Sequence, residues 1–147
     1  MSEQTTVVLK QEKDFRFAID FGGGLPLLHG DEAPPLGGGT GPTPVQLLAA
    51  AVGNCLSDSL YFALKKFKQD ARGITAKVTP TVGRNAEGRL RVTRIDVEVR
   101  LSATASAIEH LERVLSQFEG FCTVAQSVGQ GVPIAVTVFD GAGVKIK

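Results

Sequence analysis

The stretch PVQLLAAAVGNCLSDSLYFALKKF, Pro44 to Phe67, constrains this chain more than any other. Leu47, Leu48, Val52, Leu56, Leu60, Leu64 and Phe67 recur near helical period, on a stripe broad enough for burial on more than one side. Thr43 is a good N-cap, and Pro44 suits the first helical position, where its missing N–H costs nothing. Ala49, Ala50 and Ala51 favour helix and allow close packing. Lys65, Lys66 and Lys68 complement the dipole at the far end, and Gly73 is the expected stop. The pattern predicts a buried central helix over Pro44–Phe67.

The flanks read as strands. Residues 5–10 and 15–21 are rich in β-branched and aromatic residues. Residues 22–43 carry Gly22–Gly24, Gly37–Gly39 and four prolines, which predicts a long irregular arm. Such a length without structure is unusual inside one domain, so it reads as a linker or as a loop held against something else. Beyond the helix, Ile74–Val82 and Leu90–Leu101 form a hairpin through the polar loop GRNAEGR. The second strand alternates apolar Ile95, Val97, Val99 and Leu101 with charged Arg94, Asp96, Glu98 and Arg100. Ser102–Phe118 reads as a second helix capped by Ser102 or Thr104. FCTVAQSVGQG then reads as a short helical turn introduced by Cys122, and Val132–Phe139 as a last strand. The order ββ-α-ββ-α-β, with helices on antiparallel strands, predicts an α+β fold and a single domain over residues 1–147.

Composition narrows the partners. With 16 basic and 15 acidic residues the net charge is +1, which leaves no footprint for nucleic acid or an anionic membrane. Without a signal peptide or a continuous apolar run of spanning length, the expectation is a cytoplasmic chain that neither enters nor crosses a membrane. His29 and His110 lack metal-ligand spacing, so no metal is expected. The glycine runs do not match a phosphate loop, and no GxSxG elbow is present. The C-terminal half is similar in element order to a KH RNA-binding domain, but the charge balance and the missing basic GxxG loop argue against that reading.

What remains is two cysteines, Cys55 and Cys122, far apart in sequence. A free cysteine in an apolar segment is most often a small core residue. Here Gly53, Asn54, Ser57 and Asp58 leave room beside Cys55, and Cys122 opens a helical turn whose free N–H groups favour a thiolate. Cys55 lies deep in its helix, so its thiolate needs a cation from elsewhere; Arg16 is one candidate, although by its place on a strand it reads more simply as an exposed arginine.

The segment GDEAPPLGGGTGPTPVQLLAAAVGNC resembles the first cysteine block of the OsmC/Ohr family, and FCTVAQSVGQGVPIAVTV resembles its second. The likeness runs from about Phe15 to the end. It implies the OsmC-like fold: antiparallel sheets around two central helices in an intertwined homodimer, with residues 1–43 packed on the partner. It also implies reduction of organic hydroperoxides, with Cys55 as peroxidatic thiolate and Cys122 as resolving thiol. The implied reductant is an external dithiol of the lipoyl type, with no bound cofactor. The alternative is an OsmC-like dimer without peroxidase activity that binds a small apolar ligand or senses redox state. Three positions depart from the family: Val45 and Gln46 stand where a glutamate orients the catalytic arginine, no Gly-Arg motif is present, so that Arg16 is assigned by position, and Thr123 replaces a proline.

Overall fold

In the computed structural model, which describes residues 1–147, the central helix α1 runs Pro44–Lys66. Its start follows the capping logic. The Gln46 amide accepts the Thr43 N–H oxygen-to-nitrogen at 2.9 Å on its side-chain oxygen, while the Thr43 hydroxyl accepts the Gln46 N–H at 3.2 Å. This reciprocal pair satisfies two donors that a helix start otherwise leaves open. The end differs from expectation. The chain leaves the helix with Lys68, not a glycine, at φ 55°, and the Gln69 N–H turns back to the Leu64 carbonyl at 2.9 Å. The helix is long and apolar enough by composition to cross a membrane, with mean hydropathy 1.4 over 18 residues, contrary to the sequence reading. Its apolar stripe is instead part of a protein core, as described below.

The chain divides into two units, Met1–Leu47 and Leu48–Lys147. In the first, β1 (Val8–Lys13), β2 (Arg16–Asp20) and β3 (Leu28–Gly30) form an antiparallel sheet in that order. The third strand lies inside the arm expected to be irregular. Gly22, Gly23 and Gly24 all take positive φ, which lets the chain reverse between β2 and β3 at little steric cost. The rest of the arm is organised by one buried carboxylate. Asp31 accepts from the Glu32 N–H at 2.7 Å, the Thr40 N–H at 3.1 Å and the Thr40 hydroxyl at 2.7 Å. These bonds hold its carboxyl down at about 2, the Thr40 hydroxyl contributing most.

The second unit is built on β4 (Ile74–Arg84) and β5 (Leu90–Leu101), an antiparallel hairpin. Asn85 closes its turn by accepting the Glu87 and Arg89 N–H groups at 3.0 and 2.9 Å. Ile95, Val97, Val99 and Leu101 point inward; Arg94 pairs with Asp96 and Arg100 with Glu98 on the other face, both at 2.8 Å. The last strand, β6 (Ile134–Phe139), pairs with β5 in parallel, so this sheet is mixed and not wholly antiparallel. Parallel pairing needs a crossover, and residues 102–133 supply it.

That crossover is not one helix over Ser102–Phe118. A 3-10 turn at Ala105–Ala107 comes first. His110, in the left-handed region at φ 58°, separates it from α2 (Leu111–Gln117), and a second 3-10 turn covers Phe118–Phe121. Neither Ser102 nor Thr104 caps a helix through its side chain; the Ala105 N–H bonds to the buried Asp140 carboxylate at 2.9 Å. A short helix, α3 (Thr123–Val128), follows. Val52, Leu56, Leu60 and Leu64 of α1 pack with Ile95, Val99, Val114 and Phe118 in one apolar cluster. Burying each such side chain contributes about 1.5–3 kcal/mol. Gly53 is needed for this packing, because a Cβ there would lie 2.5 Å from Val78 Cγ2.

Candidate functional site

Helical spacing gathers the site. Cys55, Asp58, Ser59 and Phe62 fall at i, i+3, i+4 and i+7 on one face of α1, and all four line a cavity of about 440 Å³. Phe121 closes it from the 3-10 turn after α2, its ring edge-on to Phe62 at 5.6 Å. Cys55 is half-buried at this cavity. A second cavity of similar volume lies among α3, β6 and Leu56 and contains no cysteine.

Cys122 comes directly after Phe121 and is fully buried. It caps α3 as expected, its Sγ accepting the Ala125 N–H at 3.3 Å. The helical turn favours a thiolate here, as expected, but burial opposes it more strongly. Burial pushes the Cys122 thiol up to about 11, and the nearby Cys55 thiol pushes in the same direction. The Ala125 N–H and the Ser59 hydroxyl favour the charged form but do not prevail. The two cysteines, distant in sequence, come close enough for Cys55 to raise the Cys122 pKa, with Cys55 packed against the core that holds Cys122, and both are free thiols. Cys122 is held as the protonated partner of the pair.

Arg16 and Gln46 belong to the first unit. Arg16 bonds Glu12 at 3.1 Å and the Thr40 hydroxyl at 2.7 Å, and Glu12 also meets His29 Nδ1 at 2.6 Å. The hydrogen bond from His29, with the Arg16 charge adding to it, lowers the Glu12 pKa. Gln46 is exposed and its side-chain oxygen is taken up in the cap of α1. Val45 is half-buried one residue earlier. No group of three or more His, Cys, Asp and Glu side chains gathers to hold a metal.

The sequence reading named both cysteines and passed over Ser59, Phe62 and Phe121. The signal for the first two was present in their spacing from Cys55. Phe121 had none, because only the crossover brings it to α1.

The family model described as OsmC-like protein matches residues 37–137. No curated protein matches in sequence. Three solved structures illustrate the fold. An OsmC-like protein of unknown function from Vibrio cholerae superposes with TM-score 0.79 at 15% identity, covering 94% of this chain and 100% of its own. The organic hydroperoxide resistance protein OsmC, a predicted redox protein, from Legionella pneumophila gives 0.73 at 14%, covering 93% and 98%. An organic hydroperoxide resistance protein from Elizabethkingia anophelis, with thiocyanate bound, gives 0.73 at 15%, covering 94% and 98%. At these identities the likeness establishes the fold alone.

Proposed function

This chain belongs to the OsmC-like family, and from that premise we propose that it is a thiol-dependent peroxidase acting on organic hydroperoxides. The observation that carries this reading is that Cys55 lines an apolar cavity and packs against the core cluster that contains Cys122. The Cys55 thiolate attacks the terminal oxygen of the hydroperoxide. An S–O bond forms, the O–O bond breaks, and the alkoxide leaves and takes a proton to become the alcohol. Cys55 is then a sulfenic acid. The Cys122 sulfur attacks the Cys55 sulfur, the S–O bond breaks, and the hydroxyl leaves as water with the Cys122 proton. The product is the Cys55–Cys122 disulfide. An external dithiol, lipoyl in type, reduces it by two exchanges and becomes a cyclic disulfide. A thiol held protonated suits the resolving role, because it does not compete with Cys55 for the peroxide.

The cation beside Cys55 is assigned to Arg16, with Gln46 in the place of the family carboxylate. Arg16 is engaged by Glu12 and Thr40, so activation requires it to exchange those partners. The working unit is a homodimer in a reducing, cytoplasmic setting. The exposed Leu9, Phe15, Phe17 and Phe21 of the first unit support a partner chain, since so many outward apolar side chains need cover.

The alternative is a dimer that binds a small apolar ligand, or senses redox state, in the same cavity. The Phe62–Phe121 wall favours it. Hydroperoxide consumption with a dithiol, measured for the wild type, Cys55→Ser and Cys122→Ser, separates the two. The peroxidase predicts turnover in the wild type, none in Cys55→Ser, and in Cys122→Ser a single oxidation that leaves Cys55 open to a sulfenic-acid reagent. A wild type without turnover, or a Cys55→Ser variant that retains it, sinks the peroxidase reading.

A further inference from the structure

We infer that Asp58 sets the charge selectivity of the Cys55 cavity, so that it accepts uncharged apolar reactants and turns away those with a carboxylate near the reacting atom. For hydroperoxides this rests on the peroxidase reading; for the cavity's response to charge it does not.

Five side chains line the cavity: Cys55, Asp58, Ser59, Phe62 and Phe121. Two are aromatic hydrocarbon, two are a thiol and a hydroxyl, and Asp58 is the sole formal charge among them. Asp58 sits one turn from Cys55 on the same helix, which puts the carboxylate within one helical pitch, about 5.4 Å along the axis, of the sulfur. It makes no ion pair, whereas Arg94, Arg100 and Lys147 elsewhere in this unit each have a carboxylate partner.

The nearest cations are directed elsewhere. Lys66 lies over the Phe121 ring at 5.6 Å, and Lys65 over the Tyr61 ring at 6.0 Å. Neither lysine is among the side chains that line the cavity. An anionic reactant entering this space approaches Asp58 and the attacking thiolate together. Both repel it, the carboxylate from within about one helical pitch of the reacting sulfur. A neutral reactant of the same shape meets neither penalty and packs against Phe62 and Phe121.

Two matched pairs of reactants test this. The first is a short hydroperoxy acid and its methyl ester, compared by kcat/KM in the wild type, Asp58→Asn and Asp58→Lys. The ester is favoured in the wild type, the preference shrinks about three- to tenfold in Asp58→Asn, and the acid gains further in Asp58→Lys. The second pair is iodoacetamide and iodoacetate, used to alkylate Cys55 in a Cys122→Ser background. The ratio of the two rates is expected to shift by a similar factor in the same order of variants. Alkylation needs no peroxidase activity, so it separates the two claims. Absent turnover with a shifted alkylation ratio removes the peroxidase and keeps the charge filter. Turnover with an alkylation ratio unchanged within about twofold across all three Asp58 forms removes the charge filter and keeps the peroxidase. Because Asp58 is exposed and Asn is nearly isosteric with it, circular dichroism is expected to be unchanged in Asp58→Asn, and rescue of iodoacetate reactivity by high salt in the wild type gives a reading with no mutation.

Discussion

The two units of this chain are held together by opposite means. Leu48–Lys147 has an apolar core in which Val52, Leu60, Ile95, Val99 and Phe118 are fully buried. In Met1–Leu47, Ile19 is the one large apolar side chain that is buried, while β1 is exposed along its whole length. What orders the first unit is polar: Asp31 gripping Thr40 and Glu32, and Thr40 in turn receiving Arg16. A unit with a core can carry its own stability. A unit ordered by hydrogen bonds, with Phe15, Phe17 and Phe21 facing outward, has little apolar core of its own.

Mutations at the two ends of this contrast can break it. Phe118→Ala is expected to cost the second unit about 3–5 kcal/mol, independent of protein concentration in thermal melts. Phe17→Ala removes an already exposed ring. In an uncovered unit it costs little; in the proposed homodimer it lowers the Tm in a way that dilution makes worse. Equal, concentration-independent losses at both sites would abolish the distinction drawn between the units.

Asp31 sharpens the polar side of the comparison. Its carboxyl is held below the ordinary 3.8, at about 2. A depressed carboxyl stabilises fully above its ordinary value and loses that contribution as pH falls through the folded one. The arm is therefore expected to lose order between about pH 3.8 and 2, seen in the amide resonances of Glu32 and Thr40. Asp31→Asn should weaken the arm at neutral pH and flatten this acid transition. A variant that keeps the wild-type acid transition would put its origin elsewhere.

The smallest expected effect lies at the junction of the units. Gln46→Ala removes half of the capping pair on α1 and is expected to cost about 0.5–1 kcal/mol. Gln46→Glu keeps the acceptor oxygen, so its stability in denaturant titration should match the wild type within a few tenths of a kcal/mol. A large loss in the glutamate variant would mean that the amide nitrogen, not the oxygen, matters here.

Local patterns were legible in the sequence and non-local ones were not. The stripe on α1, the alternation in β5 and the Thr43 cap all depend on neighbours within a turn or two, and all appear where expected. β3 was missed because three residues between glycine runs show no period, and the bonds that set the arm join Asp31 to Thr40 across the intervening prolines. The stripe from Ile108 to Phe118 is real, but one residue, His110, at φ 58° interrupts it without disturbing the apolar spacing. At the site, both cysteines were legible from their flanking motifs. For Cys122, the helical turn after it can be read in sequence but the burial that outweighs that turn cannot.

The parallel pairing of β6 with β5 has a consequence for timing. The β4–β5 hairpin needs only contacts close in sequence, so it is the part that can form first. β6 can join only after the chain from Ser102 to Pro133 has closed over α1, and Cys122 rides on that closing segment. The proximity of the two sulfurs in the folded chain therefore depends on the whole crossover being in place, not on the helix that carries Cys55 alone.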